Sequence, residues 1–317
     1  MFSSAAAESE GMLPAAGAHR PAGDPAPMKL DAQELQAITV PAPITAVAEL
    51  IDLFETHRSQ GRVWAYRGQS RPFGSLQPSF QRQFTRPSSA TAELIERHLV
   101  QAFRDHYAKL PDRHSDMPNT QQIDAFHTLR CLSVMQHYEI PTRLLDWSAS
   151  YWTSLYFACA SDPGEDAELW FYDRSIFIEQ VTQDGRWSAL LDASPQPPAE
   201  PAYLYQPGVP ALVELDPKIS PRMRTQQGHH TVASEVFSDH ARLIRTLDLE
   251  RQKLDAASGF EAQPHFGRVT ITAACKSRAL QFLAEHHQIT ASSIFPDVVG
   301  LGRFLRWQFD SLRTMLL

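Results

Sequence analysis

Four consecutive residues, Tyr66-Arg67-Gly68-Gln69, combine groups that can bind an anion at close range. The guanidinium of Arg67 can form two parallel hydrogen bonds to phosphate or ribose oxygens. Gly68 has no side chain, so a ligand can approach its backbone N–H and C=O closely. The tetrapeptide therefore indicates a binding site for a phosphate-bearing molecule. The alternative is an arginine at the end of a strand, on an ordinary surface turn.

The segment Thr142-Arg143-Leu144-Leu145-Asp146-Trp147 is the second candidate. Arg143 and Asp146 are three positions apart, so they can form an ion pair that organises the fold, or Arg143 can be aimed at an anion. Thr142 offers a hydroxyl to a ligand ribose, although hydroxyl residues beside a proline more often cap the local backbone. Both interpretations of this segment, structural and ligand-binding, are open at this point.

Gln136, His137 and Tyr138 place an amide, an imidazole and a phenol side by side. Imidazole exchanges a proton near neutral pH, which makes His137 the best candidate for a general acid or base. The alternative is a histidine whose hydrogen bonds serve the structure alone.

Other reaction chemistries lack their motifs. The adjacent pairs His229-His230 and His286-His287 would point apart on a strand or a helix, and there is no HExxH motif, so no metal is predicted. GxGxxG, GxxxxGK[ST] and GxSxG are absent as well. The cysteines are too far apart for a CxxC pair and odd in number: Cys131, Cys159 and Cys275.

Composition narrows the class of protein. The 317 residues include 36 Asp and Glu and 29 Lys and Arg, which gives a net charge of −7. This negative charge argues against a protein that binds DNA non-specifically. The sequence contains no stretch of about 18 consecutive apolar residues, so no membrane span is predicted. Residues 1–40 are rich in Ala, Pro, Gly and Ser, which predicts a disordered leader without a signal for export. The cytoplasm is the expected location.

Hydrophobic periodicity places these candidates on regular elements. Helices are predicted at 45–61 with Thr45 as the cap, 91–109, 123–137, 150–160, 276–287 and 297–316, the last interrupted by Gly300 and Gly302. Strands are predicted at 62–67, ending at Gly68, and at 167–172, 209–215 and 267–272. This order predicts a single α+β domain over residues 41–317, with a central, mainly antiparallel sheet and a Pro-rich insertion near 191–210.

Four segments together resemble the FRG domain family. They are Tyr66-Arg67-Gly68, the segment QHYEIPTRLLDWSASYWTSLYFACA at 136–160, Gln226-Gln227-Gly228, and Ile294-Phe295-Pro296-Asp297. The resemblance spans about residues 45 to 310. The chain departs from the family pattern at Glu139, at Tyr151 and at His229-His230, so the chemistry beside Gly228 is expected to differ.

The Arg-Gly pair is also similar to the first-strand Arg-Gly of ADP-ribosyltransferases, which implies a similar fold with NAD as the cofactor. By this resemblance Arg67, His137 and Gln227 would be catalytic, with the Gln227 amide near the positive charge that develops on the sugar carbon. The remaining implied contacts to the dinucleotide come from Tyr66, Gly68, Gln69, Thr142, Arg143 and Asp146. An amide cannot act as a base, and no catalytic carboxylate is evident from the sequence.

These resemblances imply an FRG domain-containing protein that transfers ADP-ribose from NAD to a macromolecular acceptor, a protein or a nucleic acid, in a bacterial toxin or phage-defence system. A second hypothesis is a non-catalytic module that binds a nucleotide or a protein segment in the same place. A third is a scaffold in which Arg67 and Arg143 have structural roles only.

Overall fold

The computed structural model describes residues 29–84, 88–107, 109–110, 128–177, 212–215 and 221–316. Within them a six-stranded sheet has the order β4-β5-β2-β1-β3-β6, and its neighbouring strands pair antiparallel. The strands are β1 (Trp64–Gln69), β2 (Leu144–Ser148), β3 (Ala167–Asp173), β4 (Leu212–Leu215), β5 (Gly228–Ala233) and β6 (Phe266–Ile271). The prediction of a single α+β domain with a mainly antiparallel sheet is confirmed.

Helices cover both faces of this sheet. They are α1 (Ala32–Ala37), α2 (Val47–Ser59), α3 (Ser89–Tyr107), α4 (Thr128–His137), α5 (Tyr151–Cys159), α6 (Pro221–Thr225), α7 (His240–Ala257), α8 (Ala273–His287), α9 (Ala291–Ile294) and α10 (Val298–Leu316). Among the residues described, no helix has both the length and the apolar character that crossing a membrane requires.

Most predicted elements occur, with corrected ends. Helix α2 begins one residue later than the Thr45 cap implies, because the Glu49 carboxylate accepts hydrogen bonds from the main-chain N–H groups of Thr45 and Ala46. Helix α10 runs through Gly300 and Gly302 without the predicted interruption. The Pro-rich insertion and the first residues of the predicted helix 123–137 lie outside the described residues.

The predicted leader of residues 1–40 is too long. Residues 1–28 lie outside the described part, but Asp31 caps α1 by accepting a hydrogen bond of 2.8 Å from the Glu34 N–H. Leu30 and Ile38, on either side of this helix, are buried. These residues therefore belong to the folded part of the chain, although their composition predicts a leader.

Strand β1 extends beyond its predicted end. It pairs with β3 along its whole length, from Trp64 opposite Asp173 to Gln69 opposite Glu168. Because β3 supplies partners past Gly68, the Arg67-Gly68 pair lies inside the strand and not at a strand-end turn.

The helices on one face of the sheet form two separate groups. Helices α5, α8 and α9 bury apolar residues against the half made of β1, β3 and β6. Helices α3 and α4 pack on β2 and β5 through a second apolar cluster. A third cluster, with α1 and α7, covers the opposite face. The boundary between the first two groups lies at β1 and β2, where the site described below opens.

Candidate functional site

A cleft of about 560 Å³ opens where β1 and β2 part. The two strands pair at one position, Tyr66 opposite Ser148, whereas β1 and β3 pair at every residue of β1. Beyond that position, Arg67 and Gly68 of β1 face Asp146 and Trp147 of β2 across the opening, and all four line the cleft. The end of α4 and the turn between α6 and β5 complete its walls.

Arg67 crosses this opening. Its Nη1 donates a hydrogen bond of 2.7 Å to the main-chain oxygen of Asp146. Its Nε is buried and, among the described residues, has no hydrogen-bond partner. Burial lowers the pKa of the guanidinium to about 10, against the attraction of the Asp146 charge. A buried N–H without a partner costs folding free energy. An oxygen acceptor at Arg67 Nε would remove this cost.

Three further arginines line the cleft: Arg71, Arg82 and Arg222. Burial lowers the pKa of both Arg82 and Arg222, in each case against the attraction of Asp146. All four guanidinium groups are cationic at neutral pH. The cleft is therefore a local cationic surface in a chain whose net charge is −7, and it can attract an anion.

Asp146 is the one carboxylate among the described residues that line the cleft. Gln136 Nε2 donates a hydrogen bond of 2.9 Å to its Oδ2, and His230 Nδ1 lies 3.1 Å from its Oδ1. Burial alone would raise the pKa of Asp146, but His230, Arg67 and Gln136 outweigh it and lower the pKa to about 2. The carboxylate is therefore ionised at neutral pH and held in one orientation.

Thr142 lies behind this carboxylate and not in the cleft. Its hydroxyl donates a hydrogen bond of 2.7 Å to Gln136 Oε1 and accepts one of 3.2 Å from the Leu144 N–H. The Thr142 side chain is fully buried, so it is not placed to contact a ligand ribose as the sequence predicted. The threonine caps the local backbone and orients the amide that holds Asp146.

Arg143 is also placed elsewhere than expected. It is fully buried and forms an ion pair with Glu96 of α3, with hydrogen bonds of 2.9 Å from Nε to both carboxylate oxygens. Its Nη1 donates to the main-chain oxygens of Ala233 and Ser234. The structural alternative thus describes this arginine, but its partner is Glu96 and not Asp146.

The residues beside Arg67 have structural contacts of their own. A methyl group at Gly68 would overlap the main-chain oxygen of Ser154 and the nitrogen of Ala158, so the glycine lets α5 pack against β1. Tyr66 is buried, and its hydroxyl lies 3.1 Å from His57 Nδ1. Gln69 donates to the Ser75 carbonyl and is buried too. All three residues nevertheless line the cleft.

The Gln-Gln-Gly segment presents Gln226 and not Gln227 to the cleft. Gln227 adopts the left-handed region, with φ of 48°, and its side chain is exposed outside the cleft lining. Gln226 lines the cleft, and its Nε2 donates a hydrogen bond of 3.2 Å to the Ile294 carbonyl. The positive φ at Gln227 turns the chain from α6 into β5, which explains why the neighbouring amide faces inward.

His137, the last residue of α4, lines the cleft as expected of a residue that meets a ligand. Among the lining residues that the sequence does not indicate for this site are Arg71, Arg82, Arg222, His229 and His230. The departure of the chain from the FRG pattern at His229-His230 was the one signal that pointed to two of them. Among the described residues, no group of three or more His, Cys, Asp and Glu side chains could hold a metal ion.

Residues 62–167 match the family model of the FRG domain. The matched segment includes β1, α3, α4, β2 and α5, and it holds Arg67, His137 and Asp146. No curated protein and no solved structure matches the chain.

Proposed function

We propose that this FRG domain-containing protein binds NAD in the cleft between β1 and β2 and transfers its ADP-ribose to a macromolecular acceptor. The observation that carries the proposal is the buried Arg67 Nε, which has no partner among the described residues and lies in a cleft with three more arginines. A phosphate oxygen would supply the missing acceptor.

The cleft suits a dinucleotide in charge and in size. Its volume of about 560 Å³ lies in the range of small-molecule sites, and its arginines would hold the pyrophosphate. Arg67 would contact the phosphate or ribose oxygens, while Gly68 and Gln69 would form the wall beside them. Tyr66 would support this wall from the core through its contact with His57.

Asp146 provides the carboxylate that the sequence did not reveal as catalytic. NAD, when bound, supplies an ADP-ribosyl group attached to a nicotinamide leaving group. Cleavage of that bond develops positive charge at the sugar carbon, which a fixed, ionised carboxylate stabilises. Gln136 holds Asp146 in place for this role by a hydrogen bond, and His230 lies beside the carboxylate. Gln226 replaces Gln227 as the amide that faces the ligand, and His137 contacts the ligand from the end of α4.

A second candidate is a nucleotide-binding module without catalysis. It is favoured by the contacts of Asp146, whose carboxylate has Gln136 on one oxygen and His230 beside the other. Under this alternative Asp146 serves to orient the arginines. The acceptor and the setting in a bacterial toxin or phage-defence system are part of the first proposal and rest on family resemblance.

Transfer can be tested with labelled NAD. The purified protein is incubated with NAD labelled in the adenylate portion and with a bacterial lysate, next to the variants Arg67→Gln and Arg58→Gln. Arg58 is an exposed control on α2. We expect label on a macromolecule with the native protein and the control, and its loss with Arg67→Gln. Native protein that NAD stabilises against heat without releasing nicotinamide would favour the binding module instead.

A further inference from the structure

One aromatic side chain on the cleft wall is open to solvent. Phe73 lines the cleft, and 42% of its surface is exposed. Tyr66 and Trp147 line the cleft too, but both are buried and belong to the apolar core. Phe157 is half-buried, and its ring packs edge-on against Phe295. Phe73 therefore offers a ring surface that a ligand in the cleft can contact.

Arg71 lies over the same ring. Its guanidinium carbon is 5.0 Å from the centroid of the Phe73 ring, within the range of a cation–π contact. Arg71 also lines the cleft and is exposed. The Arg71–Phe73 pair thus combines an aromatic ring and a planar cation at one place on the cleft wall.

The loop that carries this pair is attached to the rest of the fold at both ends. Where the loop leaves β1, Lys276 Nζ on α8 donates a hydrogen bond of 2.9 Å to the Ser70 carbonyl. Where it ends, Gln69 Nε2 donates a hydrogen bond of 3.2 Å to the Ser75 carbonyl. The two side chains therefore stand on a loop whose ends are held in place.

The buried carboxylate of Glu168 on β3 acts on the middle of the loop. Burial raises the pKa of Glu168, and the main-chain N–H groups of Phe73 and Gly74 are among the hydrogen-bond donors that oppose this rise. Trp170 Nε1 donates a hydrogen bond of 3.1 Å to the same carboxylate, which also pairs with Arg268. An aromatic side chain on a loop fixed in this way loses little conformational entropy when a ligand binds.

An aromatic ring beside a guanidinium is suited to a nucleobase, because bases stack on both kinds of group. NAD has two aromatic ends, adenine and nicotinamide. The nicotinamide ring of NAD is a cation, so the Arg71 guanidinium repels it, whereas adenine is neutral. The Asp146 carboxylate has the charge that attracts the cationic end. Electrostatics thus assign adenine to the Arg71–Phe73 pair and nicotinamide to the surroundings of Asp146.

We infer that the adenine base of NAD stacks on the Arg71–Phe73 pair, and that this contact directs the nicotinamide end towards Asp146. The inference rests on the proposed function, for which it names the residues that bind the base and the orientation of the ligand. It also defines the ligand class: a dinucleotide that carries a neutral purine is preferred over a nucleotide without one.

Phe73→Ala should weaken the binding of ligands that contain adenine. We expect the dissociation constants of NAD and of ADP-ribose to rise at least about 10-fold, as when a base loses one aromatic partner. The dissociation constant of nicotinamide mononucleotide, which has a phosphate and a ribose but no adenine, should stay within about 2-fold. Phe260→Ala is the matched control, since Phe260 is exposed and lies outside the cleft lining. Calorimetric titration measures all of these constants.

Proton NMR detects the stacking itself. An aromatic ring above a base shifts the adenine H2 and H8 resonances upfield. We expect a larger upfield shift for NAD bound to the native protein than for NAD bound to Phe73→Leu, which keeps an apolar side chain but has no ring. Equal shifts in the two proteins would overturn the inference.

The titrations separate this inference from the proposed function. Native protein that does not bind NAD overturns both. NAD binding that Phe73→Ala leaves unchanged overturns the inference alone. A variant that weakens nicotinamide mononucleotide as much as ADP-ribose also overturns it, because Phe73 would then act on the phosphate through Arg71. Adenine-dependent binding without any transfer supports the inference and overturns the transfer activity.

Discussion

Arg67 Nη1 donates a hydrogen bond of 2.7 Å to the main-chain oxygen of Asp146, across the opening where β1 and β2 no longer pair. The arginine is thus fixed by a neutral carbonyl, and the carboxylate of the same residue is held by Gln136 and lies beside His230. A cation and an anion are brought to one cleft without a direct bond between their charged groups in the described contacts. This arrangement leaves each of them able to meet a ligand.

Asp146→Asn tests the role of the carboxylate. We expect nicotinamide release to fall by about 100-fold or more, because a fixed charge that stabilises developing charge is lost. The dissociation constant of NAD should change little. Chromatography of released nicotinamide measures the rate, and Asp52→Asn on the exposed side of α2 is the control. Equal rates in native protein and Asp146→Asn would remove Asp146 from the reaction.

Arg143→Ala tests whether this arginine belongs to the site or to the core. Its loss removes the guanidinium that pairs with the buried Glu96 carboxylate, so the free energy of unfolding should fall by about 3–5 kcal/mol. The double variant Arg143→Met with Glu96→Leu should recover most of that stability, because no unpaired charge remains. Urea unfolding measures both. An Arg143→Ala protein of native stability that no longer binds NAD would contradict the structural role.

Gly68→Ala tests the reason for the glycine. The added methyl group overlaps the backbone of α5 at Ser154 and Ala158, so we expect a loss of at least about 1–3 kcal/mol in unfolding free energy. Gly164→Ala, where no atom lies within 4 Å of the added carbon, should be close to neutral. If Gly68 served ligand approach alone, its variant would keep native stability and lose only affinity.

Two buried histidines should make the fold sensitive to acid. Burial lowers the pKa of His57 to about 4 and that of His240 to about 3, against an ordinary value of 6.5. Below pH 6.5 the unfolded chain takes up protons that the folded chain does not, so the free energy of unfolding falls as the pH drops. For His57 this continues down to about pH 4, at up to about 1.4 kcal/mol per pH unit.

The measurement is urea unfolding at a series of pH values between about 7 and 4.5. His57→Gln should show a shallower fall in stability over this window than the native protein, because it lacks one of the titrating rings. His286→Gln, on the surface, should keep the native slope. A native slope in His57→Gln would mean that this ring is not held neutral in the fold.

The sequence predicted the parts of the site that depend on local chemistry. Arg67 and His137 both line the cleft, and their roles towards a ligand stay predictions. The fold class followed from periodicity at the long helices and at β3 and β6. These signals are local, since each is contained in one element.

What the sequence did not reveal depends on distant residues. Arg143 pairs with Glu96, 47 positions earlier, and no spacing rule connects the two. Strand β2 was not recognised because Leu144 and Leu145 are buried on opposite faces, which removes the alternation that marks a half-exposed strand. The position of Gln227 differs from the predicted one because this residue is in the left-handed region, and the neighbouring Gln226 lines the cleft.

Calorimetric titration of NAD into the native protein, Arg67→Gln and Arg58→Gln tests the central claim most directly. We expect saturable binding to the native protein and the Arg58→Gln control. We expect affinity at least about 10-fold weaker in folded Arg67→Gln, since a hydrogen bond to a charged group contributes about 1.5–3 kcal/mol. Native protein that does not bind NAD, or equal affinity in native protein and Arg67→Gln, would contradict it.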